Sequence, residues 1–146
     1  MTIIRCLQIP VALGLLAACS PGGDERGITM DEAETFSAIG PGDTVKFAGT
    51  EPFWGGEVTG MTLRYTTPEN IDGVTISVDR FAGNNGLGYS GNLDGVSFDL
   101  TVTPGQCSDG MSDRTYPFVA TLRLGEETRQ GCAWTGTTSF EGAEAP

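Results

Sequence analysis

Apolar and polar residues alternate with a period of two over much of this chain. Val74, Ile76 and Val78 alternate with Thr75, Ser77 and Asp79, and Val96, Phe98, Leu100 and Val102 alternate with Ser97, Asp99, Thr101 and Thr103. Phe118, Ala120, Leu122 and Leu124 do the same against Val119, Thr121 and Arg123. A period of two places one set of side chains on one face of an extended strand, so these segments predict strands with one buried face. Weaker forms of the pattern at residues 44–48, 53–58, 61–65, 87–93 and 131–134 predict further strands. Asp94-Gly95 reads as a hairpin turn, and Thr59-Gly60, Asp72-Gly73 and Gly125-Glu126 punctuate the other segments. Short connections join antiparallel neighbours. The predicted fold class is therefore all-β: a small, mainly antiparallel domain over residues 43–140, barrel-like or a two-layer sheet, with residues 141–146 as a disordered tail.

The N-terminal part follows a different plan. Arg5 precedes an apolar run from Cys6 to Ala18 that Gln8, Pro10 and Gly14 interrupt, so it falls short of the roughly 18 to 20 apolar residues of a spanning helix and fits a signal peptide, residues 1–18. Leu16-Ala17-Ala18-Cys19 resembles the lipobox of bacterial lipoproteins, in which the cysteine receives a diacylglyceryl group and cleavage falls just before it. The alternative is ordinary secretory cleavage leaving Cys19 a free thiol. Two or three acyl chains would anchor the protein stably to the membrane. Ser20, rather than Asp, follows Cys19, which by the same resemblance implies the outer membrane of a diderm cell envelope, with the domain on its periplasmic face. Residues 19–42 read as a flexible tether, Pro- and Gly-rich at its start. Within it, Thr29-Met30-Asp31-Glu32 matches a capping box with Ala33, Phe36 and Ile39 at helical spacing, so residues 30–39 predict either a short helix or a tether continuing to Pro41.

Charge and composition narrow the chemistry. The 146 residues carry 8 Lys+Arg, 19 Asp+Glu and no His, a net charge of −11. Loss of residues 1–18 removes Arg5 and no acidic residue, so the mature charge becomes −12. That balance argues against nucleic acid as a partner, and the absence of histidine excludes a Ser-His-Asp triad, a His-ligated zinc and a histidine general base. Of 4 cysteines, Cys6 leaves with the leader and Cys19 carries lipid, so Cys107 and Cys132 remain. In an oxidising compartment they suggest a disulfide; a metal site is the competing reading, without His or a CxxC motif to support it.

Three segments are more specific together than apart: Thr50-Glu51-Pro52-Phe53-Trp54, the stretch from Cys107 through Asp109, Met111, Ser112 and Tyr116 to Pro117, and Gly131-Cys132-Ala133. They resemble a family of bacterial lipoproteins related to the META/HslJ-like β domain, with its "NEPFW", "CxDxMSxxxYP" and "GCA" motifs, over roughly residues 45–133. Thr50 stands where that family has Asn, so no role of the Asn carries over. The resemblance implies a compact periplasmic β domain with Cys107 paired to Cys132, and it implies no reaction.

Phe53 and Trp54 point to opposite faces of a strand, so at least one is core, and the other either lines a groove or packs as core or lid. Asp109, Asp113 and Glu51 could supply a carboxylate pair for glycoside cleavage, whereas Asp109-Gly110 as a turn and Ser108 and Ser112 as caps of one helical turn fit a structural loop. The Asp-x-x-x-Asp spacing lacks the ligand density of a calcium loop, and Asn84-Asn85-Gly86 lacks the lysine of a phosphate cradle. The leading expectation is a lipid-anchored, non-enzymatic envelope protein without cofactor or metal. It would bind a small ligand or another envelope protein through Trp54, Asp109, Met111, Asp113 and Tyr116. A lysozyme inhibitor is the second reading, since a −12 surface would steer to a basic enzyme, and a glycan hydrolase using Glu51 with Asp109 or Asp113 is the third.

Overall fold

Eight antiparallel strands follow one another around a closed barrel in the computed structural model, which describes residues 34–143. They are β1 (Thr44–Thr50), β2 (Phe53–Thr59), β3 (Thr62–Thr67), β4 (Asn70–Gly83), β5 (Gly86–Leu93), β6 (Val96–Cys107), β7 (Tyr116–Leu124) and β8 (Glu127–Thr135). Each strand pairs with the next, and β1 meets β8 to close the ring, with Val45 opposite Thr135 and Ala48 opposite Cys132. The barrel-like form of the predicted all-β class is the one adopted. The expected signal peptide, the lipidation of Cys19 and the start of the tether lie outside the described residues.

The alternation read from the sequence is the inside and outside of the barrel. Val45 and Phe47 of β1, Leu63 and Tyr65 of β3, Ile76 and Val78 of β4, and Leu87 and Tyr89 of β5 are all buried. Phe98, Leu100 and Val102 of β6 and Phe118, Ala120 and Leu122 of β7 complete one continuous core. Eight strands enclose a space that side chains fill, and each buried Val, Leu or Phe contributes roughly 1.5–3 kcal/mol. Tyr65 lies edge-on to Phe98, with ring centroids 5.3 Å apart.

The connections follow their turn chemistry. Asp94 and Gly95 both have positive φ, 51° and 88°, as a two-residue turn matched to strand twist requires. Gly60 and Gly125, at φ 59° and 61°, end the hairpins where expected. Asp72-Gly73 is a correction: it lies inside β4 and makes no turn between strands. Gly73 adopts φ 78° close to an irregularity in the β3–β4 register, and the chain reverses instead at Pro68-Glu69. β4 is the longest strand; residues 70 and 74–77 pair with β3 and residues 78–83 with β5.

The predicted helix over 30–39 does not form within residues 34–39, and residues 30–33 lie outside the described part. The Phe36 amide donates to the Gly83 carbonyl at 2.8 Å, Arg80 Nη2 donates to the Ile39 carbonyl at 2.8 Å, and Ile39 is buried against the core. Docking onto β4 satisfies these backbone groups without helical bonds. The same contacts end the alternative of a free tether reaching Pro41. At the other end of the chain, Glu141, expected in the tail, bridges to Thr115.

Candidate functional site

The three motif segments, remote in sequence, converge on the outer wall of the barrel where β8 meets the end of β1. Cys107 at the end of β6 is disulfide-bonded to Cys132 of β8, with their Cα atoms 5.5 Å apart, so the expected pairing is present. Strand alternation places Cys132 on the face opposite Ala133, yet both are buried. The segment between β6 and β7 folds over the outside of the barrel and covers Cys132. From the first motif, Thr50 Oγ1 donates to the Asp109 carbonyl at 3.3 Å. Thr50 thus joins the first motif to the second.

Asp109 organises the loop between β6 and β7. Its Oδ1 accepts from the amides of Met111 (2.9 Å) and Ser112 (2.8 Å), and its Oδ2 accepts from Ser112 Oγ (2.8 Å) and Tyr116 Oη (3.2 Å). These donors, the Met111 amide foremost, hold the carboxyl at about 2, below its ordinary 3.8. Ser108 Oγ accepts from the Gly110 amide at 3.2 Å, and Gly110 sits at φ 71°. The segment is a hydrogen-bonded turn and contains no helical turn, so the serines act within a loop.

The predicted binding residues separate into two groups. Met111 is 69% exposed at the tip of the loop and Asp113 is exposed beside it. Tyr116 is buried: its ring meets Trp134 at 5.2 Å and Phe140 at 5.4 Å, and Arg114 lies over Phe140 at 4.3 Å from the centroid. This aromatic group stands outside the barrel core and seats the loop. Trp54, expected to line a groove, is largely buried against Phe47 at 5.7 Å, and Phe53 is the more exposed aromatic, at 52%. Register explains the exchange, since Trp54 lies opposite Gly49 of β1, whose missing side chain leaves room for the indole. Phe53 lines a shallow groove of about 270 Å³ with Trp54, Pro68 and Ile71.

A larger cleft of about 440 Å³ lies at the meeting of the motifs, lined by Thr50, Glu51, Ser108, Asp109, Thr128 and Arg129 among others. Glu51 and Asp109 are therefore brought together and Asp113 is not among its walls. Asp109 turns its carboxylate into its own loop. Among the described residues, no group of three or more Asp, Glu and Cys is placed to hold a metal.

Sequence reading missed the β8 side of this cleft. Glu127 and Arg129 share a strand face and form an ion pair at 2.9 Å, which holds the Glu127 carboxyl below its ordinary range. Arg129 Nη1 also donates to Tyr65 Oη at 2.7 Å. The Glu-x-Arg spacing on a strand was the available signal. Comparison with family models, with curated proteins and with solved structures gave no match to this chain.

Proposed function

We propose that this chain is a lipid-anchored envelope lipoprotein whose β barrel binds a partner, without catalysing a reaction, through the cleft where the three motifs meet. The supporting observation is convergence: segments around residues 50, 109 and 131 wall one cleft, and a disulfide together with the Thr50–Asp109 hydrogen bond fixes them there. A pre-formed wall loses little entropy on binding. The likeness to META/HslJ-like lipoproteins and the Leu-Ala-Ala-Cys junction before Cys19 support export and anchoring. The glycan hydrolase reading loses ground because the Asp109 carboxylate is engaged by four donors of its own loop.

The test has two arms. Cys19→Ser should release the protein from the membrane fraction; normal maturation and continued sedimentation with membranes would remove the anchor. In native envelopes, a photoreactive residue at Glu51 should give discrete adducts that the same residue at Phe81, exposed at the far end of β4, does not give. Equal or absent labelling at both positions would refute a binding cleft here. A lysozyme assay reads the second possibility directly, which the rigid loop carrying exposed Met111 and the acidic net charge favour.

A further inference from the structure

The ladder that closes the barrel is short. β1 pairs with β8 over only residues 45–48 and 132–135, and β1 reverses after Thr50, whereas β8 begins at Glu127 and is paired with β7 from there onward. Residues 127–130 thus have a strand partner on the β7 side alone. At about 3.4 Å per residue this free edge runs for roughly 14 Å. Its backbone groups alternate in direction, and the Gln130 carbonyl faces the β1 side, 2.6 Å from the position that a Cβ on Gly49 would take. Thr128 shares that orientation.

This edge is set in the motif cleft, which Thr128, Arg129 and Gln130 line on one side and Glu51, Ser108 and Asp109 on the other. An exposed strand edge recessed in a groove is the geometry by which extended peptides are held: main-chain bonds give affinity and the walls give selectivity. The walls carry Glu51 and Asp109, and the one cation on the lining, Arg129, is already paired with Glu127. The cleft is therefore anionic in a chain of net charge −11. Behind the edge lies Trp54, whose buried Nε1 has no hydrogen-bond partner among the described residues and sits against Gly49, a residue of the same cleft.

We propose that the free edge of β8 at residues 127–130 takes up an extended, cationic peptide segment as an added strand, with Glu51 selecting for its positive charge. This rests on the binding reading above and names the chemistry of the partner.

The test uses the full chain in mild detergent and a nine-residue peptide of alternating lysine and threonine. Hydrogen exchange should slow at the amides of Thr128 and Gln130 when the peptide is present. N-methylation of alternate peptide nitrogens, which leaves the charge intact, should weaken binding by about tenfold or more, as should Glu51→Lys. A glutamate–threonine peptide should not bind. The proposal is overturned if the lysine peptide leaves exchange at residues 127–130 unchanged, if methylation has no effect, or if the chain self-associates through this edge in its place. Adducts at Glu51 in envelopes without peptide protection would overturn strand addition and leave the binding cleft standing; loss of both would remove the cleft as well.

Discussion

Replacing Asp109 by Asn tests whether the loop between β6 and β7 is held by a carboxylate. The substitution keeps the shape and one acceptor oxygen, but puts an amide where Oδ1 or Oδ2 now accepts two hydrogen bonds. Charge-assisted bonds of this kind are about twice as strong as neutral ones, and the loop is partly solvated, so the expected cost is about 1–2 kcal/mol. For a domain of this size that lowers the melting temperature by roughly 4–8 °C. The effect has a pH signature. Asp109 titrates at about 2 in the folded protein against 3.8 without its donors, so its contribution is full above pH 4 and is lost as pH falls through about 2. After allowance for solvent screening, this pH-dependent part is about 1 kcal/mol. Thermal denaturation of both proteins at pH 6 and at pH 2 should show a gap at the higher pH that narrows at the lower. A variant that melts with the parent at pH 6, or a gap of unchanged size at pH 2, would refute the reasoning.

Reduction of Cys107–Cys132, or replacement of both by Ser, should cost about 3 kcal/mol in urea denaturation, since the bridge closes a loop of 25 residues. Gly49→Ala would drive a methyl group into the Trp54 indole and against the Gln130 carbonyl at 2.6 Å, so equilibrium unfolding should show a loss of at least about 1–3 kcal/mol. Phe53→Ala should change stability by no more than about 0.5 kcal/mol, while Trp54→Ala should lose about 3–5 kcal/mol. Chemical denaturation of that pair measures which aromatic belongs to the core, and equal losses would contradict the register of β1 on β2.

The strands were legible because a barrel of this size has one dry face and one wet face, which a period of two records directly. β6 and β7 show it most plainly, with Phe98, Leu100, Val102, Ala120 and Leu122 all inward. β8 was visible only at residues 131–134, because Thr128, Arg129 and Gln130 are polar on both faces and Cys132 is buried on the wrong one. Asp72-Gly73 carried a turn's composition inside a strand, where its positive φ serves an irregular register. Phe36 and Ile39 stand at helical spacing, yet a neighbouring strand end captured their backbone groups first. For the site, the motifs indicated which segments matter and alternation set Phe53 and Trp54 on opposite faces. Which of the two turned inward depended on the β1 partner, Gly49, and that pairing is a property of the closed sheet.

The order of the strands also bears on how the barrel assembles and loosens. Seven of its eight ladders join consecutive strands, so most contacts are local and cheap in chain entropy. The eighth, β1 to β8, brings together residues about 90 positions apart, and it has only four residue pairs. Closure is therefore the step with the largest entropic cost and the smallest return in hydrogen bonds. The same clasp is where the finished barrel can part without breaking any hairpin, leaving a curved seven-ladder sheet in which the disulfide still ties β6 to β8.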